Sequence, residues 1–189
     1  MEGKLIIFSA PSGAGKTTIV RYLCQAIPEI KFSVSATTRE RRGNEVDGVD
    51  YYFLSKEEFL HRVAKKQFVE FEEVYSGTFY GTLRTEIDRI WSEGKHVIFD
   101  LDVQGGMRLK KKFEEKALSI FVKPPSLEVL LNRLTQRATE SSQKIAERVL
   151  KAGSEMTFEK DFDKVLLNDN LEIACQTAES WVNDFLKKG

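Results

Sequence analysis

The residues Ala10-Pro11-Ser12-Gly13-Ala14-Gly15-Lys16-Thr17 have the composition of a phosphate cradle. Gly13 and Gly15 let successive backbone N–H groups turn inward around an anion. A helix opening at Lys16 would aim its positive end at the same point. Lys16 supplies a flexible point charge for the β and γ phosphates of a nucleoside triphosphate. The hydroxyl of Thr17 suits direct ligation of Mg²⁺, and Thr18 follows it. The spacing matches Gly-x-x-x-x-Gly-Lys-[Ser/Thr] except at the first position, where Ala10 replaces glycine. Alanine is small, and it fits there if the backbone angles are ordinary.

Such a turn works only between a strand and a helix. Lys4 to Ser9, KLIIFS, reads as a strand covered on both faces, and Lys16 to Ala26 has helical apolar spacing. His96–Leu101 (HVIFDL) and Leu118–Val122 (LSIFV) repeat the buried-strand pattern, and Lys164–Leu167 is a shorter example. Helical stretches at Leu83–Trp91, Gly105–Phe113, Ser126–Arg137 and Leu171–Lys187 alternate with them. This alternation predicts an α/β fold with a central parallel sheet flanked by helices. Asp100 closes one strand, at the sheet end where such folds bind ligands. A carboxylate there suits a water of a magnesium shell, the alternative being a cap for the next helix.

Residues 35–82 break the rhythm, being rich in Thr, Tyr, Phe, Arg and Gly. Tyr51–Leu54, Phe68–Val74 and Thr78–Tyr80 read as short antiparallel strands, with a helix near Lys56–Ala64. We read this region as an inserted lobe. The charged stretch Arg133–Arg148 has no clear apolar face and reads as a mobile flap between two helices.

The 189 residues suit one domain, and 41% of them are hydrophobic, enough for a real core. The 29 basic residues balance 29 acidic ones. Zero formal charge argues against a general nucleic-acid or membrane-surface binder, since both need a basic footprint. No apolar run is long enough to span a bilayer. Met1-Glu2-Gly3-Lys4 leads straight into a strand without a signal-peptide layout, which sets the expectation of a cytoplasmic protein. Cys24 and Cys175 fit neither metal-ligand spacing nor a disulfide framework, and read as small buried hydrophobes.

Several further segments resemble the guanylate kinase family. They are Ser33-Val34-Ser35-Ala36-Thr37-Thr38-Arg39 with Arg42, Glu45, Gly48 and Asp50-Tyr51-Tyr52-Phe53, then Glu70, Ser76-Gly77-Thr78-Phe79-Tyr80-Gly81-Thr82 and Asp100-Leu101-Asp102-Val103-Gln104-Gly105. Arg133, Arg137 and Arg148 keep the spacing of that family's lid arginines, and Asn168 resembles its adenine-side loop. The resemblance runs in order along nearly the whole chain. It implies a P-loop nucleoside monophosphate kinase fold with a core of about 1–34, 83–132 and 150–189. The inserted mixed-β, GMP-binding lobe would be about 35–82, and a helical lid about 133–149.

The resemblance also implies an activity, transfer of the terminal phosphoryl group of ATP to GMP, and to dGMP, with Mg²⁺ as cofactor. Arg39 and Arg42 would clamp the GMP phosphate through guanidinium forks. Tyr51 and Tyr80 would donate to it, and Glu70 would accept from guanine N1–H and the 2-amino group. Ser35, Thr82 and Asp102 would complete the base contacts. ATP would lie along residues 10–18 with Arg133, Arg137 and Asn168. Arg133, Arg137 and Arg148, with Lys16 and Arg39, would neutralise charge on the transferring group. The implied partners are small-molecule substrates, with a monomer or homodimer both open. Read alone, Arg133 and Arg137 also suit an exposed helical face paired with Glu140, and Tyr51-Tyr52-Phe53 also suits a strand on a core.

The sequence departs from the family pattern at Arg41 (usually proline), Asn44 and Ala138 (both usually glycine). Two rivals stand beside the kinase reading. Guanylate kinase-like scaffold modules bind phosphopeptides through the same clamp but typically lose the P-loop lysine or lid arginines, which are retained here. A P-loop transferase with another acceptor would not need Glu70.

Overall fold

The computed structural model describes residues 3–136 and 142–187. A five-stranded sheet forms its centre, in the order β2-β7-β1-β8-β9. The strands are β1 (Leu5–Ser9), β2 (Ile30–Phe32), β7 (His96–Leu101), β8 (Ala117–Lys123) and β9 (Lys164–Leu167), and every pairing is parallel. β1 is wholly buried in the middle. Its side chains alternate between two cores, as the two-residue period of a strand requires. Ile6 and Phe8 face α1 (Lys16–Ala26), α5 (Leu127–Gln136) and α7 (Leu171–Lys187). Leu5 and Ile7 face α3 (Arg84–Ser92) and α4 (Val103–Phe113).

A second, four-stranded sheet has the order β4-β3-β6-β5. It consists of β3 (Ala36–Thr37), β4 (Tyr52–Phe53), β5 (Phe68–Tyr75) and β6 (Thr78–Leu83). α2 (Lys56–Ala64) covers it, burying Phe59 against Phe68 with ring centroids 4.4 Å apart. Ser55 caps α2 by accepting from the Glu58 N–H. The sheet is mixed: β5–β6 and β3–β6 are antiparallel, but β3–β4 is parallel. The expectation of antiparallel strands therefore fails at β4. Residues 38–51 carry the chain back before β4 begins, and a connection of that length permits the parallel pairing that a tight hairpin forbids.

The stretch read as a flap is largely helix where it is described. α5 runs to Gln136, and α6 spans Ser142–Glu155. Arg137 and Ala138 lie outside the described residues.

A buried carboxylate ties the two sheets together. Glu86, on α3, accepts from Val34 N–H (3.1 Å), the Tyr52 hydroxyl (2.9 Å) and Arg89 (3.0 Å). Burial pushes its pKa up, but the bonds from Arg89, Tyr52 and Val34 outweigh that and hold the carboxyl below its usual range.

Candidate active site

An open cleft of about 260 Å³ lies between the carboxyl end of the parallel sheet and the smaller sheet. Residues 10–18 form one wall. The turn needs glycine at two places, since Gly13 and Gly15 have φ of +93° and +92°. A Cβ at Gly15 would also stand 2.3 Å from Asn168 Nδ2. Ala10 is not among the residues with positive φ, so its small side chain satisfies the position.

Lys16 is ion-paired with Asp100, and the Thr17 hydroxyl donates to Asp100 Oδ2 at 2.5 Å. Burial pulls the Lys16 ammonium below the usual lysine range, while Asp102 and Glu155 pull it the other way. Asp100 is no helix cap. That task falls to Asp102, whose Oδ1 accepts from Gly105 N–H at 2.6 Å. The Thr17 hydroxyl and Asp100 carboxylate are hard oxygen donors at a strand end. They fit Mg²⁺, which keeps most of its waters and needs few protein ligands.

The opposite wall comes from the small sheet. Glu70 and Glu72 on β5, with Tyr80 and Thr82 on β6, alternate onto one face, and Glu70 pairs directly with Thr82. The Thr82 hydroxyl, fully buried, donates to Glu70 Oε1 at 2.8 Å. Thr82 thus stands behind Glu70 rather than on the cleft surface. Glu70 is 7% exposed, and burial pushes its carboxyl up to about 7, Asp102 adding to the shift. Gly105 keeps this corner open, because a Cβ there would lie 3.0 Å from Glu70 Oε2. Ser35 lines the cleft as well.

Arg39, Arg42, Tyr51 and Tyr80 lie together on this side. Glu45 grips Arg39 with two bonds of 2.6 Å and also accepts from Arg42 N–H. The Arg39 guanidinium sits 4.8 Å from the Tyr51 ring centroid, and the Tyr51 and Tyr80 rings meet edge to face at 5.9 Å. Desolvation works against the Arg39 charge, yet Glu45 holds it above its usual range. Burial likewise raises the Tyr51 hydroxyl, keeping it a donor. Glu45 is the positioning group whose role the sequence left unassigned. Arg41 packs over Phe53 (5.2 Å) and faces Asp47, outside the cleft lining. The nearby turn uses Gly43 at φ +52°, so Asn44 needs no left-handed backbone.

The lid-side residues divide. Arg148 lines the cleft and donates to Ser12 Oγ at 2.6 Å. Arg133 instead borders a shallow depression with Gly13, Gly15, Thr18, Asn168, Asp169 and Leu171. There it donates to the Asn168 carbonyl at 3.2 Å. Asn168 is 4% exposed and donates to Ala14 O at 2.7 Å, while its Oδ1 has no hydrogen-bond partner among the described residues. Cleft residues that escaped the sequence reading include Glu72, Val74 and Tyr75 on β5, and Lys151 and Glu155 on α6. Burial raises the Glu155 carboxyl to about 7. Helix α6 does carry a signal, apolar Ile145, Val149 and Ala152 at helical spacing, masked by the charges around it.

A glycine turn on the central strand of a parallel sheet, facing a basic clamp across a cleft, defines the P-loop class of α/β nucleotide-binding proteins. The family model described as guanylate kinase matches residues 2–185. A guanylate kinase of Bacteroides thetaiotaomicron is 50% identical over 188 residues, covering 100% of this chain and 92% of the relative. One of Chlorobium chlorochromatii is 44% identical, covering 98% and 97%. The crystal structure of guanylate kinase from Anaplasma phagocytophilum superposes with a TM-score of 0.81 at 28% identity, covering 98% of this chain and 87% of that one. The chain belongs to the guanylate kinase family.

Proposed function

We propose that this protein transfers the terminal phosphoryl group of Mg·ATP to GMP, and to dGMP, in cytoplasmic purine nucleotide metabolism. One observation carries the acceptor assignment: a buried carboxylate, Glu70, faces the same cleft as the P-loop. Guanine offers N1–H and a 2-amino group to such an acceptor, and adenine does not. Leaving a buried acceptor unpaired with AMP supports discrimination of ~10⁴ or more. Thr82 orients the carboxylate, while Ser35 and Asp102 border the base.

Arg39 and Arg42 hold the acceptor phosphate, Arg39 being prepositioned by Glu45. Tyr51 and Tyr80 donate to the same phosphate. Residues 10–18 cradle the donor phosphates with backbone N–H groups, and Lys16 exchanges Asp100 for phosphate oxygens. Thr17 and Asp100 would hold the magnesium ion, Asp100 through water. When bound, that ion neutralises developing charge on the β and γ oxygens. Arg148, already beside Ser12, adds positive charge over the transferring group. Arg133 and Arg137 serve the outer side of the triphosphate, and Asn168 the adenine. No side chain forms a covalent bond, since positioning and charge stabilisation carry this reaction. We take 35–82 as the GMP lobe, 133–149 as the lid and the remainder as core.

We take the protein to act on small-molecule substrates as a monomer or a homodimer, and no helix among the described residues is long and apolar enough to cross a membrane. The test is a coupled assay of nucleoside monophosphates with Mg·ATP. GMP turnover should exceed that of AMP, CMP and UMP by at least about 10³. Faster turnover of another monophosphate would overturn the assignment. Binding of GMP without ADP release would instead favour the scaffold reading.

A further inference from the structure

Helix α6 presents Arg148, Lys151 and Glu155 at spacings of three and seven residues, which brings them to one face. All three line the cleft. Arg148 reaches Ser12 of the glycine turn. Lys151 reaches the other sheet: its Nζ donates to the Val74 carbonyl at 3.1 Å and lies 4.8 Å from the Tyr75 ring centroid. Glu155 Oε1 stands 3.7 Å from the same Nζ. Glu155 is 9% exposed and interacts electrostatically with both Lys16 and Asp102. One helix face therefore bridges the P-loop to the end of β5, four residues beyond Glu70.

An ammonium held between a carbonyl, a ring face and a carboxylate directs its bonds into the protein. We propose that Lys151 is a positioning residue: braced by Glu155, it fastens the β5–β6 hairpin to α6 and thereby sets Glu70 and Tyr80 at their working distance from Lys16. This rests on the reading of the cleft as a two-substrate phosphoryl-transfer site. Its consequence is that substrate geometry on the lobe side depends on a residue that touches neither substrate. Closure elements of this kind change kcat and KM together when altered.

The experiment uses the full chain and three variants, Lys151→Met, Lys151→Arg and Glu155→Gln. Methionine keeps the apolar stem and removes the charge. Lys151→Met should lower kcat/KM for GMP about tenfold while KM for ATP stays within about twofold. Lys151→Arg should recover most of the loss, and Glu155→Gln should show a smaller loss of the same pattern. Amide exchange between Val74 and Tyr80, followed in the ligand-free protein, should quicken about fivefold in Lys151→Met and return towards normal in Lys151→Arg. Unchanged hairpin exchange overturns the proposal. So do equal changes in the KM of both nucleotides, or an arginine variant no better than methionine. A wild-type chain making no GDP would overturn the activity reading, while the exchange comparison would still judge the strap.

Discussion

Glu70→Gln should make the ligand-free protein more stable at alkaline pH while destroying its use of GMP. Glu70 is 7% exposed, and its carboxyl is pushed up to about 7 from an ordinary 4.5. Its folded-state value lies above its unfolded one, so the folded state holds the proton more tightly. Below pH 4.5 both states are protonated and the ionisation costs nothing. The cost grows as pH rises towards 7 and is constant above it. A shift of this size at about 1.4 kcal/mol per pH unit amounts to roughly 3 kcal/mol at pH 8. At pH 5 only about 1 kcal/mol of it has appeared. Glutamine keeps the shape and an oxygen for the Thr82 hydroxyl, but carries no charge. Its unpartnered amide costs about 1–2 kcal/mol at either pH, which cancels in the comparison. Urea unfolding of wild type and variant at pH 5 and pH 8 should therefore show the variant's relative stability rising by about 2–3 kcal/mol between them. The same variant should lose about 10³-fold or more in kcat/KM for GMP, its amide N–H₂ facing the donors of guanine. A relative stability that stays level or falls with pH would refute the desolvation argument. Retained GMP selectivity would refute the role of Glu70.

Lys16→Ala should lower turnover by about 10² or more while GMP affinity, measured by calorimetry, changes less than about threefold. Glu45→Gln removes the charge and one of the two acceptor oxygens that hold Arg39 at 2.6 Å, and should raise KM for GMP about tenfold with little change in KM for ATP. Gly15→Ala combines φ of +92° with a 2.3 Å approach to Asn168, and should cost about 2–4 kcal/mol on unfolding and abolish binding of an ATP analogue. Glu86→Ala should destabilise by about 2–3 kcal/mol in chemical denaturation, because it leaves the buried Val34 N–H and the half-buried Tyr52 hydroxyl without their acceptor.

Much of this architecture was legible because long elements carry strong periodicity. α1, α2, α7, β7 and β9 fall where their patterns place them. β2 and β3, of three and two residues, are too short to show a period, and they exist because β7 and β6 supply their partners. α6 escaped although Ile145, Val149 and Ala152 recur at helical spacing and pack on the core, because the charges of Arg148, Lys151 and Glu155 on its cleft side obscure that stripe. The P-loop was found from residue type and spacing, and the clamp residues only through the family resemblance. Glu45 entered only as part of that resemblance, without a role, and Glu86 not at all, since a carboxylate that braces an arginine looks in sequence like any surface charge pair.

The ion pair between Lys16 and Asp100 bears on how the protein meets salt. A bare lysine in a ring of amides would collect any passing chloride or free phosphate. Here the cation already owns a carboxylate companion, so a triphosphate enters by trading places with it rather than by filling a vacancy of charge. Donor affinity should consequently depend on ionic strength less steeply than the number of cations in the cleft would imply, and inorganic phosphate should compete poorly.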